Sequence, residues 1–282
     1  MILILDACTI LNLVNVYQDD RLLKLLRNCF KEIYIASEVI AEVDDNKSAY
    51  SHLYESPDTL KQLFTELKLR EYLSDLDKDK IECFKFAKNF AKIKHLEFRE
   101  ADGEFHSTLL SLYLSRWGKT SFVENNNKIL FATDDEGAKE LYQNMFYTNQ
   151  IGAIIDSIDI VCILYLKSLL SKALALSCIE GIIALYNSEL DSVIKEIEIV
   201  RKKESNSAKN QINLTTLMEY VRAIQVAEVE RISLTNNYKK LYDDHPALKS
   251  SVKNFTKNTL GPKFQYLKIR HDEIRNDLLW VV

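Results

Sequence analysis

Ile2-Leu3-Ile4-Leu5-Asp6-Ala7-Cys8-Thr9-Ile10-Leu11 opens the chain with an unbroken apolar run that ends on an acid. Four consecutive apolar residues without alternation are the pattern of a strand buried on both faces of a parallel sheet. From Thr9 the spacing turns helical, through Ile10, Leu11, Leu13 and Val14, and resumes as Leu22, Leu23, Leu25 and Leu26 after Asp19-Asp20. Ile33-Tyr34-Ile35-Ala36 repeats the strand pattern, and Ser37 is placed to cap a helix carrying Val39, Ile40 and Val43. Lys128-Ile129-Leu130-Phe131-Ala132-Thr133 is a third such run, closed by Asp134-Asp135 and followed by a helix over Gly137 to Asn144. Strands alternating with helices up to about residue 150 predict an α/β fold, a parallel sheet flanked by helices on both faces.

Between and beyond these runs the pattern is helical. Helices are expected over Pro57 to Tyr72, Asp77 to Ile93, Ala101 to Trp117, Ala153 to Leu176 and Cys178 to Val200. Lys202 to Asn213 is polar and reads as a linker, and Leu214 to Val282 reads as all-helical, with breaks at Asp243-Asp244-His245-Pro246 and Gly261-Pro262. Two domains follow from this, an α/β domain over residues 1–200 and a helical C-terminal module over residues 201–282.

Composition agrees and excludes several classes. With 6 Gly and 3 Pro in 282 residues, a turn-dense β-sandwich or propeller and a Gly-rich dinucleotide loop are out. The net charge of −4 divides into −10 over residues 1–200 and +6 over residues 201–282, so cation binding is expected in the first part and polyanion binding in the second. Cys8, Cys29, Cys83, Cys162 and Cys178 are odd in number and widely spaced, as free thiols are in a reducing compartment. The apolar start meets Asp6 without a basic leader, and the Ile151–Tyr186 region is interrupted by charges short of the roughly 20 residues of a span. A cytoplasmic protein without a membrane partner is expected.

Acidic residues gather where such a sheet brings loops together. Asp6 follows the first strand, Glu42 lies in the helix after the second, Asp102 and Glu104 open the helix near residue 100, and Asp134 and Asp135 close the third run. Functional residues of open parallel sheets collect at the strands' carboxyl ends. Carboxylates grouped without basic partners repel one another unless a cation lies among them. Oxygen-only ligands suit Mg²⁺ or Mn²⁺, and one or two such ions serve phosphodiester hydrolysis. Taken singly, Asp134 also suits a helix cap, Asp102 and Glu104 suit a helix's first turn, and Glu42 suits a solvated face. No histidine among His52, His95, His106, His245 and His271 has zinc-ligand spacing.

Four segments carry a resemblance. Leu3-Ile4-Leu5-Asp6-Ala7-Cys8-Thr9-Ile10-Leu11 resembles the opening of PIN-domain nucleases, and Ile35-Ala36-Ser37-Glu38-Val39-Ile40-Ala41-Glu42-Val43 their second motif. Ala101-Asp102-Gly103-Glu104 is similar to the third, and Leu130-Phe131-Ala132-Thr133-Asp134-Asp135 to the fourth. Gln150-Ile151-Gly152-Ala153-Ile154-Ile155 and Ile179-Glu180-Gly181-Ile182-Ile183 resemble closing segments, so the likeness spans about residues 1–200. The resemblance implies a PIN-like sheet and a Mg²⁺- or Mn²⁺-dependent nuclease that cuts RNA or DNA, many members being VapC-type endoribonuclease toxins. It implies metal ligands and catalytic residues at Asp6, Glu42, Asp102 and Asp135, with Glu104 assisting and Asp134 as the alternate to Asp135. An antitoxin or other regulatory partner and a toxin or phage-defence role come with it. Cys8 departs from the Ser or Asn frequent in the family. The reading from a different class is a catalytically silent module of the same fold that binds RNA or a protein partner. An acidic-cluster phosphatase is a third option, although the first strand lacks the Asp-x-Asp that a covalent aspartyl-phosphate mechanism needs.

His245 to His271 contains no acid. Lys249, Lys253 and Lys257 recur every four residues, Lys263, Lys268 and Arg270 follow, and Phe255, Phe264 and Tyr266 are interleaved. Lysines attract phosphates and aromatics stack on unpaired bases, so these six cations are a candidate nucleic-acid track. A solvated lysine face over core aromatics has the same pattern. Leu214, Leu217, Val221, Ile224, Val226 and Val229 outline a helix that packs on the body or on a second copy, which would make a homodimer.

Overall fold

Apolar runs with no polar face satisfy their backbone groups only by pairing with one another, and in the computed structural model of the chain they do so in parallel. The structure describes residues 1–17, 21–45, 70–72, 85–86, 89, 103–116, 129–226, 243–250 and 260–279. It divides into two compact units, Met1–Ser171 and Lys172–Val282.

The first unit is built on β1 (Ile2–Leu5), β2 (Glu32–Ala36), β3 (Arg70–Tyr72), β4 (Ile129–Ala132) and β5 (Gly152–Ile155). They form one parallel sheet in the order β3-β2-β1-β4-β5. Its described helices are α1 (Ala7–Tyr17), α2 (Arg21–Cys29), α3 (Ser37–Asp45), α4 (Gly103–Arg116), α5 (Glu136–Thr148) and α6 (Ser157–Leu166). Ile2, Ile4, Ile129 and Phe131 share one core with Phe105, Leu109 and Leu110 of α4 and Tyr142, Met145 and Phe146 of α5. Leu3 and Leu5 alternate to the other face and are just as buried, so both faces are covered. Each such side chain contributes on the order of 1.5–3 kcal/mol by leaving water.

Strand order decides where function can lie. The chain moves outward from β1 through β2 to β3, then returns to the other side of β1 for β4 and β5. The reversal opens a crevice at the carboxyl ends of β1 and β4, the customary ligand position in such sheets. Leu5 is in register with both Ile35 and Ala132. The ladder continues one residue further, as Asp6 N–H donates to Ala132 C=O at 3.0 Å and Thr133 N–H to Ile155 C=O at 2.9 Å.

An α/β fold is therefore what the alternating pattern predicts, with local differences. Arg70–Tyr72, expected to end a helix, is an edge strand paired with Tyr34–Ala36. Sheet pairing outweighs local helical spacing there. Residues 153–176, expected as one helix, instead give β5, α6, a turn and the start of the next helix. Asp156 caps α6 in a reciprocal box with Asp159 and so separates helix from strand. The expected helices over 57–69 and most of 77–93 lie outside the described residues.

The second unit contains α7 (Lys172–Lys203), α8 (Ala208–Gln225) and α9 (Leu260–Arg275), which pack on one another. α7 runs unbroken across residue 200, so the compact units divide at Ser171/Lys172 rather than at the expected domain boundary. The stretch read as a polar linker is mostly helix, because Ser207 caps α8 with its hydroxyl on the Asn210 N–H. Among the described residues α7 alone has an 18-residue window apolar enough to cross a membrane, of mean hydropathy 1.3. Glu180 and Glu189 interrupt the helix, as do Asp191, Lys195, Glu196 and Glu198 further on. Cys178, Ile179, Ile182 and Leu190 of α7 are buried within the protein.

β5 tests the sheet. Gly152 starts it with φ 159°, and a Cβ there would lie 1.9 Å from the Ile129 carbonyl oxygen of β4. Gly152→Ala should destabilise the protein by at least the roughly 1–3 kcal/mol typical of overpacking, measured by urea unfolding. An unchanged midpoint would contradict the β4–β5 pairing.

Candidate metal centre

Asp6 reaches its place because the β1 ladder extends onto its own N–H, which puts the carboxylate at the seam between β1 and β4. The residue is 1% exposed. Its Oδ2 accepts Thr133 Oγ1–H at 2.9 Å and the Cys8 thiol at 2.9 Å. Its Oδ1 is buried and has no hydrogen-bond partner among the described residues. Burial pushes the Asp6 carboxyl up to about 6; bonds from Cys8, Thr133 and the Ala7 backbone oppose the rise and the Glu42 charge adds to it. An uncompensated buried carboxylate oxygen is costly, and it is the kind of atom a cation relieves.

Glu42 comes from α3, one turn beyond Glu38, and its charge is felt at Asp6. Its Oε1 accepts the Gly103 N–H at the start of α4, 2.8 Å away. A Cβ on Gly103 would come within 2.8 and 2.9 Å of the two Glu42 carboxylate oxygens, so this glycine leaves room for the acid. One turn along the same two helices, His106 Nδ1 lies 3.3 Å from Glu38 Oε1.

Asp134 and Asp135 separate in role. Asp134 is buried, its Oδ2 accepting the Thr9 hydroxyl at 3.0 Å and its Oδ1 the Ser157 hydroxyl at 2.9 Å. It ties the starts of α1 and α6 to the end of β4. Asp135 is exposed and caps α5, with Oδ1 accepting the N–H groups of Gly137 and Ala138. Glu104 is partly exposed in the first turn of α4. Asp102, one position before Gly103, lies outside the described residues. Among the described residues no three His, Cys, Asp or Glu side chains form a group that could hold a metal ion.

Three features escape a sequence reading. The Cys8 sulfur accepts the Asp134 N–H at 3.2 Å while donating to Asp6, which links β1 to β4. Burial, followed by the charges of Asp6 and Asp134, pushes the thiol well above its ordinary range, so it keeps its proton. Thr9 and Ser157 saturate Asp134, a role no spacing announces. Lys139 bridges Glu136 at 2.8 Å and the buried Asp156 at 2.9 Å. Burial alone would lower the Lys139 pKa, but the Asp156 charge and the bonds to both acids hold it above its usual range. Of this bridge only the Asp156-x-x-Asp159 capping signal is readable in the sequence.

In the second unit the candidate track divides. Lys249 is exposed and pairs with Asp243 at 3.3 Å, and Lys268 is exposed. Lys263 is buried with Nζ 4.8 Å from the Tyr186 ring centroid. Arg270 lies over Tyr266 at 4.9 Å and bonds Glu273 at 2.8 Å. Lys253 and Lys257 lie outside the described residues.

The chain matches no protein-family model, no curated protein and no solved structure.

Because the Asp6 carboxyl titrates higher when folded than its ordinary 3.8, its protonated form is the favoured one and its contribution to stability is lost as pH rises through about 6. In chelator, Asp6→Asn should therefore melt above the wild type by a margin that widens between pH 4 and pH 7. Parallel melting curves across that range would contradict the burial of an unrelieved charge.

Proposed function

We propose that this protein is a divalent-metal-dependent nuclease of PIN-like fold that hydrolyses phosphodiester bonds in single-stranded RNA, with a toxin or phage-defence role in the cytoplasm. The observation that carries the reading is Asp6: a carboxylate 1% exposed, at the topological switch point of a parallel sheet, with one oxygen lacking a hydrogen-bond partner among the described residues and a second acid, Glu42, electrostatically opposed to it. The donor set fits a hard cation, since it offers carboxylate oxygens and no imidazole or thiolate. Asp6 and Glu42 would hold Mg²⁺ or Mn²⁺ together with Asp102, with Glu104 and Asp135 or Asp134 completing the set. Bound there, the ion supplies Lewis-acid activation of water and of the scissile phosphate.

The chain's own residues prepare that chemistry. Thr133 and Cys8 hold Asp6 Oδ2, and the Gly103 N–H holds Glu42 Oε1, so both carboxylates are oriented before any ligand arrives. Lys139 bridges Glu136 and Asp156 and offsets one of their two charges. A polyanionic substrate is repelled by acids alone, so a bound cation is needed for its engagement there.

A module of the same fold that binds RNA or a protein partner without chemistry draws on different observations. Asp134 has both oxygens occupied by hydroxyls, and Asp135 serves as a helix cap. Labelled single-stranded RNA and DNA, incubated with Mn²⁺ or with chelator, separate the two readings. Cleavage should require Mn²⁺, favour RNA and fall by orders of magnitude in Asp6→Asn. Full activity in that variant would remove Asp6 from the chemistry, and RNA binding without cleavage by the wild type would favour the silent module.

The basic residues make a second expectation. Replacing Lys249, Lys253 and Lys257 with Gln should weaken binding to all single-stranded sequences alike. The slope of log affinity against log salt should flatten by about 0.7 for each phosphate no longer neutralised. An unchanged slope would make these lysines a solvated face.

A further inference from the structure

We infer that Cys8 is a positioning residue for the Asp6 carboxylate, turning its Oδ1 toward the cation; this rests on the metal-site reading above. The sulfur stands where two strands end. It accepts the Asp134 N–H of the β4 end at 3.2 Å and donates to Asp6 Oδ2 of the β1 end at 2.9 Å. Its one proton is directed by this arrangement: the Asp134 N–H occupies a sulfur lone pair, so the S–H is left for the carboxylate. Thr133 Oγ1 donates to the same Oδ2 at 2.9 Å and lies 3.5 Å from the sulfur.

Two donors on a single oxygen fix the rotation of a carboxylate about its Cβ–Cγ bond. They also leave the other oxygen, Oδ1, buried and without a hydrogen-bond partner among the described residues. Groups that bond the remote oxygen of a metal-binding carboxylate orient it and tune its affinity, and their removal typically costs 10–100-fold. Without Cys8 the carboxylate keeps the Thr133 hydroxyl and the Ala7 backbone N–H but loses one of the two side-chain donors on Oδ2. A serine at position 8 keeps a donor, but its oxygen sits closer to Cβ than sulfur does and cannot hold both contacts at these distances. An alanine holds neither.

The test is Mn²⁺ affinity by calorimetry, beside melting temperature in chelator, for the wild type, Cys8→Ser, Cys8→Ala, Asp6→Asn and the Asp6→Asn/Cys8→Ala double variant. Cys8→Ala should bind Mn²⁺ on the order of tenfold more weakly and should also melt lower in chelator, because the Asp134 N–H loses its acceptor. Cys8→Ser should recover part of the affinity. In the Asp6→Asn background the alanine should weaken Mn²⁺ binding no further, because there is no carboxylate left to orient. Wild-type affinity in Cys8→Ala overturns the role of Cys8 alone, whereas a wild type that binds no Mn²⁺ overturns the metal reading and this role with it. If Cys8→Ala does not fold, Cys8→Ser decides: it must bind Mn²⁺ more weakly than the wild type, and equal affinity overturns the inference.

Discussion

A carboxylate buried at the seam of two parallel strands sets the terms for the rest of the first unit. Asp6 lies where β1 and β4 end together, out of water, with Thr133 and Cys8 on one oxygen and nothing among the described residues on the other. A buried charge of this kind survives only if the surroundings hold it firmly. Neighbouring polar groups do so in sequence: the Asp134 N–H steadies Cys8, Thr9 and Ser157 clamp Asp134, and the Gly103 N–H steadies Glu42. Helices α1 and α6 are thereby tied to the end of β4, and α3 to α4. Stability and proposed chemistry meet in this network, since relieving the Asp6 charge is expected to stabilise the fold while removing the reaction.

The sheet is largely legible in the sequence because its determinants are local. Ile2–Leu5, Ile33–Ala36 and Ile129–Ala132 are apolar on both faces, and each run ends on a polar residue. β5 and β3 are not legible in the same way. Ala153-Ile154-Ile155 continues into the apolar α6, and only the Asp156–Asp159 box marks the division. Arg70-Glu71-Tyr72 becomes a strand through its partner β2, which no window of residues contains.

The candidate site is legible by residue type but not by role. Asp6 and Glu42 meet electrostatically, as acids after neighbouring strands should. The adjacent acids Asp134 and Asp135 look interchangeable in the sequence, yet one is buried under two hydroxyls and the other caps a helix at the surface. Their difference arises from Thr9 and Ser157, which approach from other parts of the chain. Cys8 likewise reads as a departure from a Ser or Asn, whereas its sulfur bonds to both strand ends. In the second unit, regular lysine spacing conceals a similar divergence: Lys249 faces solvent while Lys263 is buried beside Tyr186. Helical periodicity assigns a face, and only packing decides what that face meets.

If the bare oxygen of Asp6 is there to ligate a divalent cation, crystals soaked in Mn²⁺ and measured for anomalous scattering will show it directly. The expected result is a manganese peak coordinated by Asp6 Oδ1 and by Glu42, absent from Asp6→Asn crystals treated alike. A peak elsewhere, or none under Mn²⁺ concentrations that saturate the protein in solution, would contradict a cation site at the end of β1.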